Sequence, residues 1–327
     1  MKHHLRLSLP LLYPLIAAFA AACSSSPGEP TGTGSSTGQT TGAAGTGGAS
    51  TSTSAAGTGG GEIACKGSDY SDPTAPAVKI GAITVEIVDL VGKAAPDDVS
   101  VQVCGTNLCF FNEPPKNGMS LMGKFTVHGT TTPLQQPLFK FGDARHFAKL
   151  GIPVTAAILD AMGNTSFGTL TTAALPVDGA VFVAGKAATS GDVTLTVPSG
   201  GVFVIDETIY GDPIDQQLRT VTIPFEKATK VLAVAPPGIE QLYGVSPLET
   251  VFCPAASVTV INADLMKWPA GTDVEFWILG LDGASQEWAP YGGWLKVSDG
   301  KVSADGKTIS TTAGLPLLST FGIRKKP

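Results

Sequence analysis

Basic residues are scarce in this chain: 21 Lys and Arg stand against 27 Asp and Glu, and only 15% of residues are charged. No basic stripe forms, which argues against a nucleic-acid partner. Histidine is rarer still, with four in 327 residues. No His-Glu-x-x-His, Gly-x-Ser-x-Gly or alternating-Asp calcium pattern occurs. A long apolar run is lacking too: LPLLYPLIAAFA holds Pro10 and Pro14 and falls short of the roughly 20 residues that cross a bilayer as a helix. Between positions 24 and 61 large side chains are almost absent, and Glu29 is the single charge. Such a stretch cannot bury enough surface to offset its chain entropy and is expected to stay disordered. As a flexible coil it spans about 35 Å.

What is present begins with an address. MKHHLRLS carries Lys2 and Arg6 and no acid, an apolar run follows, and Ala20-Ala21-Ala22 precede Cys23. This is the layout of a signal peptide. The alanines and the cysteine resemble the lipobox of bacterial lipoproteins. That resemblance implies cleavage before Cys23, a diacylglycerol on its thiol and acylation of the new amine. The partner would then be the lipid bilayer, held through Cys23 by two or three chains at roughly 0.8 kcal/mol per buried methylene. Ser24 after the cysteine implies the outer membrane by the same resemblance. Ordinary secretion is the alternative.

Five cysteines is an odd count for an exported protein. With Cys23 given to lipid, Cys65, Cys104, Cys109 and Cys253 remain, and four cysteines allow three connectivities. CGTNLC reads as a short hairpin that sets Cys104 opposite Cys109, within disulfide reach. That leaves Cys65 with Cys253. A metal site is a poor alternative, because CxxxxC has no companion CxxC and only His128 and His146 follow the signal peptide. No metal or cofactor is expected.

From about residue 75 the pattern has period two. Ile83, Val85 and Ile87 alternate in ITVEIVDL, Val99, Val101 and Val103 in DDVSVQVCG, and GKFTVHG and DVTLTVPSG continue the theme. Short β-branched runs between Gly, Pro and Asp-Gly turns predict an all-β chain of sandwich type. Asp299-Gly300 and Asp305-Gly306 are expected at tight hairpin turns. DARHFAKLGI and TAAILDAM alone hint at short helices or helical turns. The expected division is a signal peptide at 1–22, anchor and disordered linker at 23–74, and β-sandwiches at 75–187 and 188–327.

Two resemblances sharpen that division. VEIVDLVGKAAPDDVSVQV followed by GKFTVHG looks like the carboxypeptidase-regulatory or transthyretin-like module, over about residues 78–150. TLTVPSGGV, FCPAASVTVIN, PAGTDVEFWIL and VSADGKTISTTAG are similar, in that order, to a β-sandwich module of ankyrins and netrin receptors. Pro198, Pro254, Asn262, Gly271, Asp305 and Gly306 carry the likeness, and GVFVIDETIYGDPIDQQLRT departs from it as an insert. In those families both modules are contact or spacer domains without catalysis.

Candidate chemistry is thin. GMSLMGKF approaches a phosphate loop, but Phe125 replaces the hydroxyl that would hold magnesium, and the loop feeds a strand. His146 has Asp143 three positions before it, a pairing found more often as a surface contact than as a general base. No catalytic residue is assigned. All four tryptophans, Trp268, Trp277, Trp288 and Trp294, fall near one another, with Tyr291 among them. In QEWAPYGGWLK the rings of Trp288, Tyr291 and Trp294 sit in a Pro/Gly-rich loop where a contact surface can form. The expectation is a non-catalytic, surface-displayed cell-envelope lipoprotein, a binding or structural module whose ligand would be an unknown protein or glycan. A carbohydrate-binding accessory protein using Trp288, Tyr291 and Trp294 is the alternative, with a cryptic hydrolase behind it.

Overall fold

The alternation read at residues 82–88 is realised as a strand whose burial also alternates, with Ile83, Val85 and Ile87 at most 5% exposed. The structure, a computed structural model, describes residues 65 and 67–327 except 115–118, 263–266 and 284–285. The segment expected to be a signal peptide, Cys23 and most of the linker expected after it lie outside the described residues.

Among the described residues nine strands precede residue 172: β1 Ala77–Val78, β2 Ala82–Val88, β3 Val101–Cys104, β4 Cys109–Phe111, β5 Lys124–His128, β6 Leu134–Gln135, β7 Leu138–Phe141, β8 Leu150–Pro153 and β9 Thr165–Thr171. The next group is β10 Ala187–Ser190, β11 Val193–Thr196, β12 Val202–Val204, β13 Arg219–Pro224, β14 Ile239–Ser246 and β15 Thr250–Ile261. The last is β16 Asp273–Leu279, β17 Trp294–Val302, β18 Thr308–Thr311, β19 Leu315–Leu318 and β20 Phe321–Lys325. Helix is confined, among the described residues, to α1 at Thr229–Leu232 and short 3-10 turns, so the chain is all-β.

The first group forms small sheets. In one, β2 lies between antiparallel β5 and parallel β9; in another the order is β4-β3-β7-β8. Phe139 of β7 packs its ring 4.8 Å from that of Phe167 on β9, which joins the two. The second group forms one eleven-stranded sheet ordered β10-β11-β15-β18-β17-β16-β20-β14-β13, with β12 and β19 also paired to β15. This sheet curls until it nearly closes as a barrel. Its edge strands meet through side chains: Thr220 N–H donates to Ser190 Oγ at 3.0 Å, the Thr220 hydroxyl donates to the Ser190 carbonyl, and Thr222 donates to Asp192 at 2.9 Å. Inside, Tyr243 stacks on Phe321 at 4.8 Å.

All described residues fall in one compact unit, and its core runs across position 187. Tyr291 donates its hydroxyl to the Cys104 carbonyl at 2.9 Å, and Thr320 donates to the Lys149 carbonyl at 2.7 Å.

Two local expectations are corrected. Asp305-Gly306 does turn the β17–β18 hairpin, with Gly306 at φ +73°, but Asp299-Gly300 lies within β17. A Cβ at Gly300 would stand 2.6 Å from the Phe276 ring and from the Ser310 carbonyl, so glycine serves close packing there. DARHFAKLGI forms no helix. Asp143 Oδ1 accepts the backbone N–H groups of Arg145, His146 and Phe147, which resembles a helix cap, and the chain then runs on into β8. TAAILDAM does hold a helical turn, of the 3-10 kind, at Ala156–Ile158.

Candidate functional site

The cysteines come first, because they fix where the N-terminal segment joins the fold. Cys104 and Cys109 are direct partners across β3 and β4, with Cα atoms 4.0 Å apart, closed by Gly105 N–H donating to the Leu108 carbonyl at 2.7 Å. Cys65 is bridged to Cys253 of β15 over 188 positions, with Cα atoms 5.6 Å apart. The first described residue is thus riveted to the barrel.

The aromatic loop does not present its three rings together. Tyr291 turns inward at 7% exposure; its hydroxyl is spent on Cys104 and Lys140 Nζ lies 5.1 Å from its ring centre. It joins the barrel to the small sheets and offers nothing to solvent. Trp294 is packed on the core, with its indole N–H buried and without a hydrogen-bond partner. Trp288 is half-buried and lines an open pocket of about 250 Å³ with Gly67, Ser68, Tyr70, Glu287 and Lys296. Its indole N–H donates to Glu287 at 3.0 Å, while Tyr70 is held by its own N–H to the Gln286 carbonyl at 2.8 Å. An aromatic face beside a hydroxyl, a carboxylate and an ammonium suits a polar ring-shaped ligand. Tyr70, missed in the sequence, enters because the Cys65 bridge carries its segment across the barrel.

The histidines are placed plainly. His146 is exposed, its ring nitrogen 2.7 Å from Asp143 Oδ2. Burial pushes the Asp143 carboxyl up, but its three backbone N–H bonds and the bond to His146 outweigh this and hold it below the usual range. This aspartate organises a loop. His128 on β5 is exposed, 3.8 Å from Glu113. Among the described residues no group of three or more His, Cys, Asp or Glu is placed to hold a metal ion.

Two further carboxylates were not legible in the sequence. Glu275 on β16 is buried yet accepts from Arg324 Nε at 2.7 Å, Lys296 at 3.2 Å and the Trp277 indole at 3.2 Å. Burial raises its carboxyl and these donors more than reverse the effect. Glu249 is its opposite. Both its oxygens are sealed from solvent and have no hydrogen-bond partner, and its backbone sits at φ +63°, the region that favours glycine. It lines a cavity of about 30 Å³ with Asp143, Lys149, Tyr210, Leu248 and Asp282. Burial, then the neighbouring Asp282, push its carboxyl up to about 8, against the pull of Lys149 and Lys140. Lys140 is 4% exposed, and burial brings it down to about 8.

No family model matches this chain, and no curated protein does.

One sequence signal did point at the second cluster. LFKF sets Lys140 between two phenylalanines in a strand that proves buried on both faces, so the lysine cannot reach water by alternation. Glu249 in SPLETV carries no such mark.

Proposed function

We propose that this chain is a non-catalytic binding protein of the cell envelope, held to a membrane by acylated Cys23 with its β-sheet region displayed beyond the Ser/Thr/Gly-rich stretch that follows. The observation that carries the reading is the cysteine pattern. The four cysteines after Cys23 are consumed in two bridges, as an oxidising compartment favours, and Cys23 is left over at an alanine-rich cut. The likeness of both β segments to non-catalytic contact modules supports a binding role by analogy. The test is fractionation with intact mass. The native chain should be found in membranes carrying a diacylglycerol adduct at Cys23, and Cys23→Ala should release it to the soluble fraction. An unmodified Cys23 in membrane-free protein overturns the anchor.

A second reading is glycan binding, favoured by the pocket that pairs Trp288 with Tyr70. It requires quenching of tryptophan fluorescence by some glycan and loss of that response in Trp288→Ala. An unchanged spectrum across a glycan panel removes it.

A further inference from the structure

The insert at 201–220 carries an apolar face that the rest of the described residues leaves uncovered. β12 pairs with β15 alone, and among the described residues no other backbone bond reaches Val202–Val204. Its second edge is therefore open. Unprotected edges are normally blunted by charge, proline or a covering loop, yet here Val202 and Val204 are 44% and 37% exposed. Partners across a ladder share a face. Val202 opposite Cys253 and Val204 opposite Val251 thus lie on the face of the Cys65 bridge, and Phe203 projects on the other. There Phe203 packs 5.5 Å from Phe182 and lines a groove of about 260 Å³ with Val181, Ile205, Pro213 and Glu207.

Charge selects the occupant. Residues 177–220 contain Asp178, Asp192, Asp206, Glu207, Asp212 and Asp215 against Lys186 and Arg219, and Arg219 is paired with Asp215 at 3.3 Å. A second copy would set two acidic surfaces together. Residues 24–64 contain no Lys or Arg and Ile63 as the one large apolar side chain, so this chain's own N-terminal segment supplies neither charge nor bulk. An anionic lipid surface is repelled as well.

We propose that the open edge of β12 and the Phe182/Phe203 groove dock an extended peptide segment of a partner protein, added as a β-strand, with apolar residues alternating with Lys or Arg. In such an addition the main chain supplies affinity and alternate side chains supply specificity, the basic set meeting Glu207 at the groove and the apolar set packing on Val202 and Val204. This names a partner class for the binding role proposed above and rests on that role, but not on the lipid anchor.

The test uses the full-length chain carrying Cys23→Ser and a fluorescently labelled hexapeptide, (Lys-Val)3, read by anisotropy. Binding should weaken steeply with added salt. It should vanish for (Glu-Val)3 and for a (Lys-Val)3 probe with N-methylated valine amides, which cannot complete a ladder. Glu207→Gln with Asp212→Asn should weaken binding about ten-fold, the equivalent of 1.4 kcal/mol, with circular dichroism unchanged. Val204→Pro should abolish it, and the N-methylated probe asks the same question without altering the protein. Equal binding of (Glu-Val)3, no loss on N-methylation, or no binding of (Lys-Val)3 overturns the proposal. So does a dimer seen by light scattering, or sedimentation with phosphatidylcholine vesicles, that Val204→Pro removes; the first assigns the edge to a second copy and the other to lipid. A failure of the Cys23 fractionation leaves these outcomes intact, and their failure leaves the fractionation intact.

Discussion

Glu275 and Glu249 are the same residue type, each with its carboxylate withdrawn from water, and the protein treats them in opposite ways. Glu275 lies on the barrel wall, clasped by Arg324, Lys296 and Trp277, with Arg324 also stacked 4.9 Å from the Trp277 ring and donating to the Pro237 carbonyl at 2.7 Å. Glu249 lies where the barrel meets the small sheets, beside Asp143, Lys149 and Asp282, with no donor for either oxygen. The difference teaches that depth alone does not decide a buried charge. Supplied with donors it stays ionised and ties strands β16, β17 and β20 together; without them it favours its neutral form.

The comparison can be broken from the Glu275 side with the largest effect. Arg324→Met removes the shortest bond and leaves a buried carboxylate short of donors. It should lower unfolding stability by about 3 kcal/mol, the range for breaking one side of a buried pair, measured by urea denaturation at pH 7. A loss below about 0.5 kcal/mol would mean that Lys296 and Trp277 suffice.

Glu249→Gln acts in the other direction. The folded-state value near 8 lies above the ordinary 4.5, so between those two the folded chain keeps a proton that the unfolded chain releases. Stability should therefore fall as pH rises from about 4.5 to 8, at a slope of up to about 1.4 kcal/mol per pH unit. Glu249→Gln should flatten that window and, at pH 8, exceed the native chain by about 2 kcal/mol. Thermal melts from pH 5 to 8.5 decide it. Parallel curves for the two proteins would show that Glu249 carries no excess proton.

The smallest expected effect sharpens the same site. Lys140→Met removes a positive charge that lowers the Glu249 carboxyl, so the declining window should extend to higher pH. At pH 6 the change in stability should stay within about 1 kcal/mol, since a buried ammonium without an ion pair gives way to an apolar side chain of similar length. A shift of the window to lower pH would contradict the assigned neighbourhood.

Much of the fold was readable because half-buried strands advertise themselves. Ile83, Val85 and Ile87 alternate in sequence and in burial, and the CGTNLC hairpin places its cysteines face to face. The barrel wall was less readable. β14 reads IEQLYGVS and is buried at every position after Glu240, including Gln241, whose amide has no partner, so alternation there carries no information about facing. Asp-Gly marked a turn at 305–306 and misled at 299–300, since local sequence cannot show that Phe276 needs the room a side chain would take. In the aromatic loop the type of residue was informative and its direction was not. Tyr291 and Trp288 are three positions apart, yet one bonds Cys104 and the other opens a pocket with Tyr70. That pocket depends on a partner more than two hundred positions away; the cysteine count paired Cys65 with Cys253, but not which side chains the bridge would bring together.

The Cys65–Cys253 rivet also sets the route that a mechanical load takes. A pull arriving from the N-terminal side enters at Cys65 and crosses sulfur directly to β15, the strand that also meets β11, β12, β18 and β19. The chain between the two cysteines is a slack loop under that load, so the small sheets and the insert are spared the tension that peels strands from a free end. Reduction of a single bond reroutes the force through every one of them.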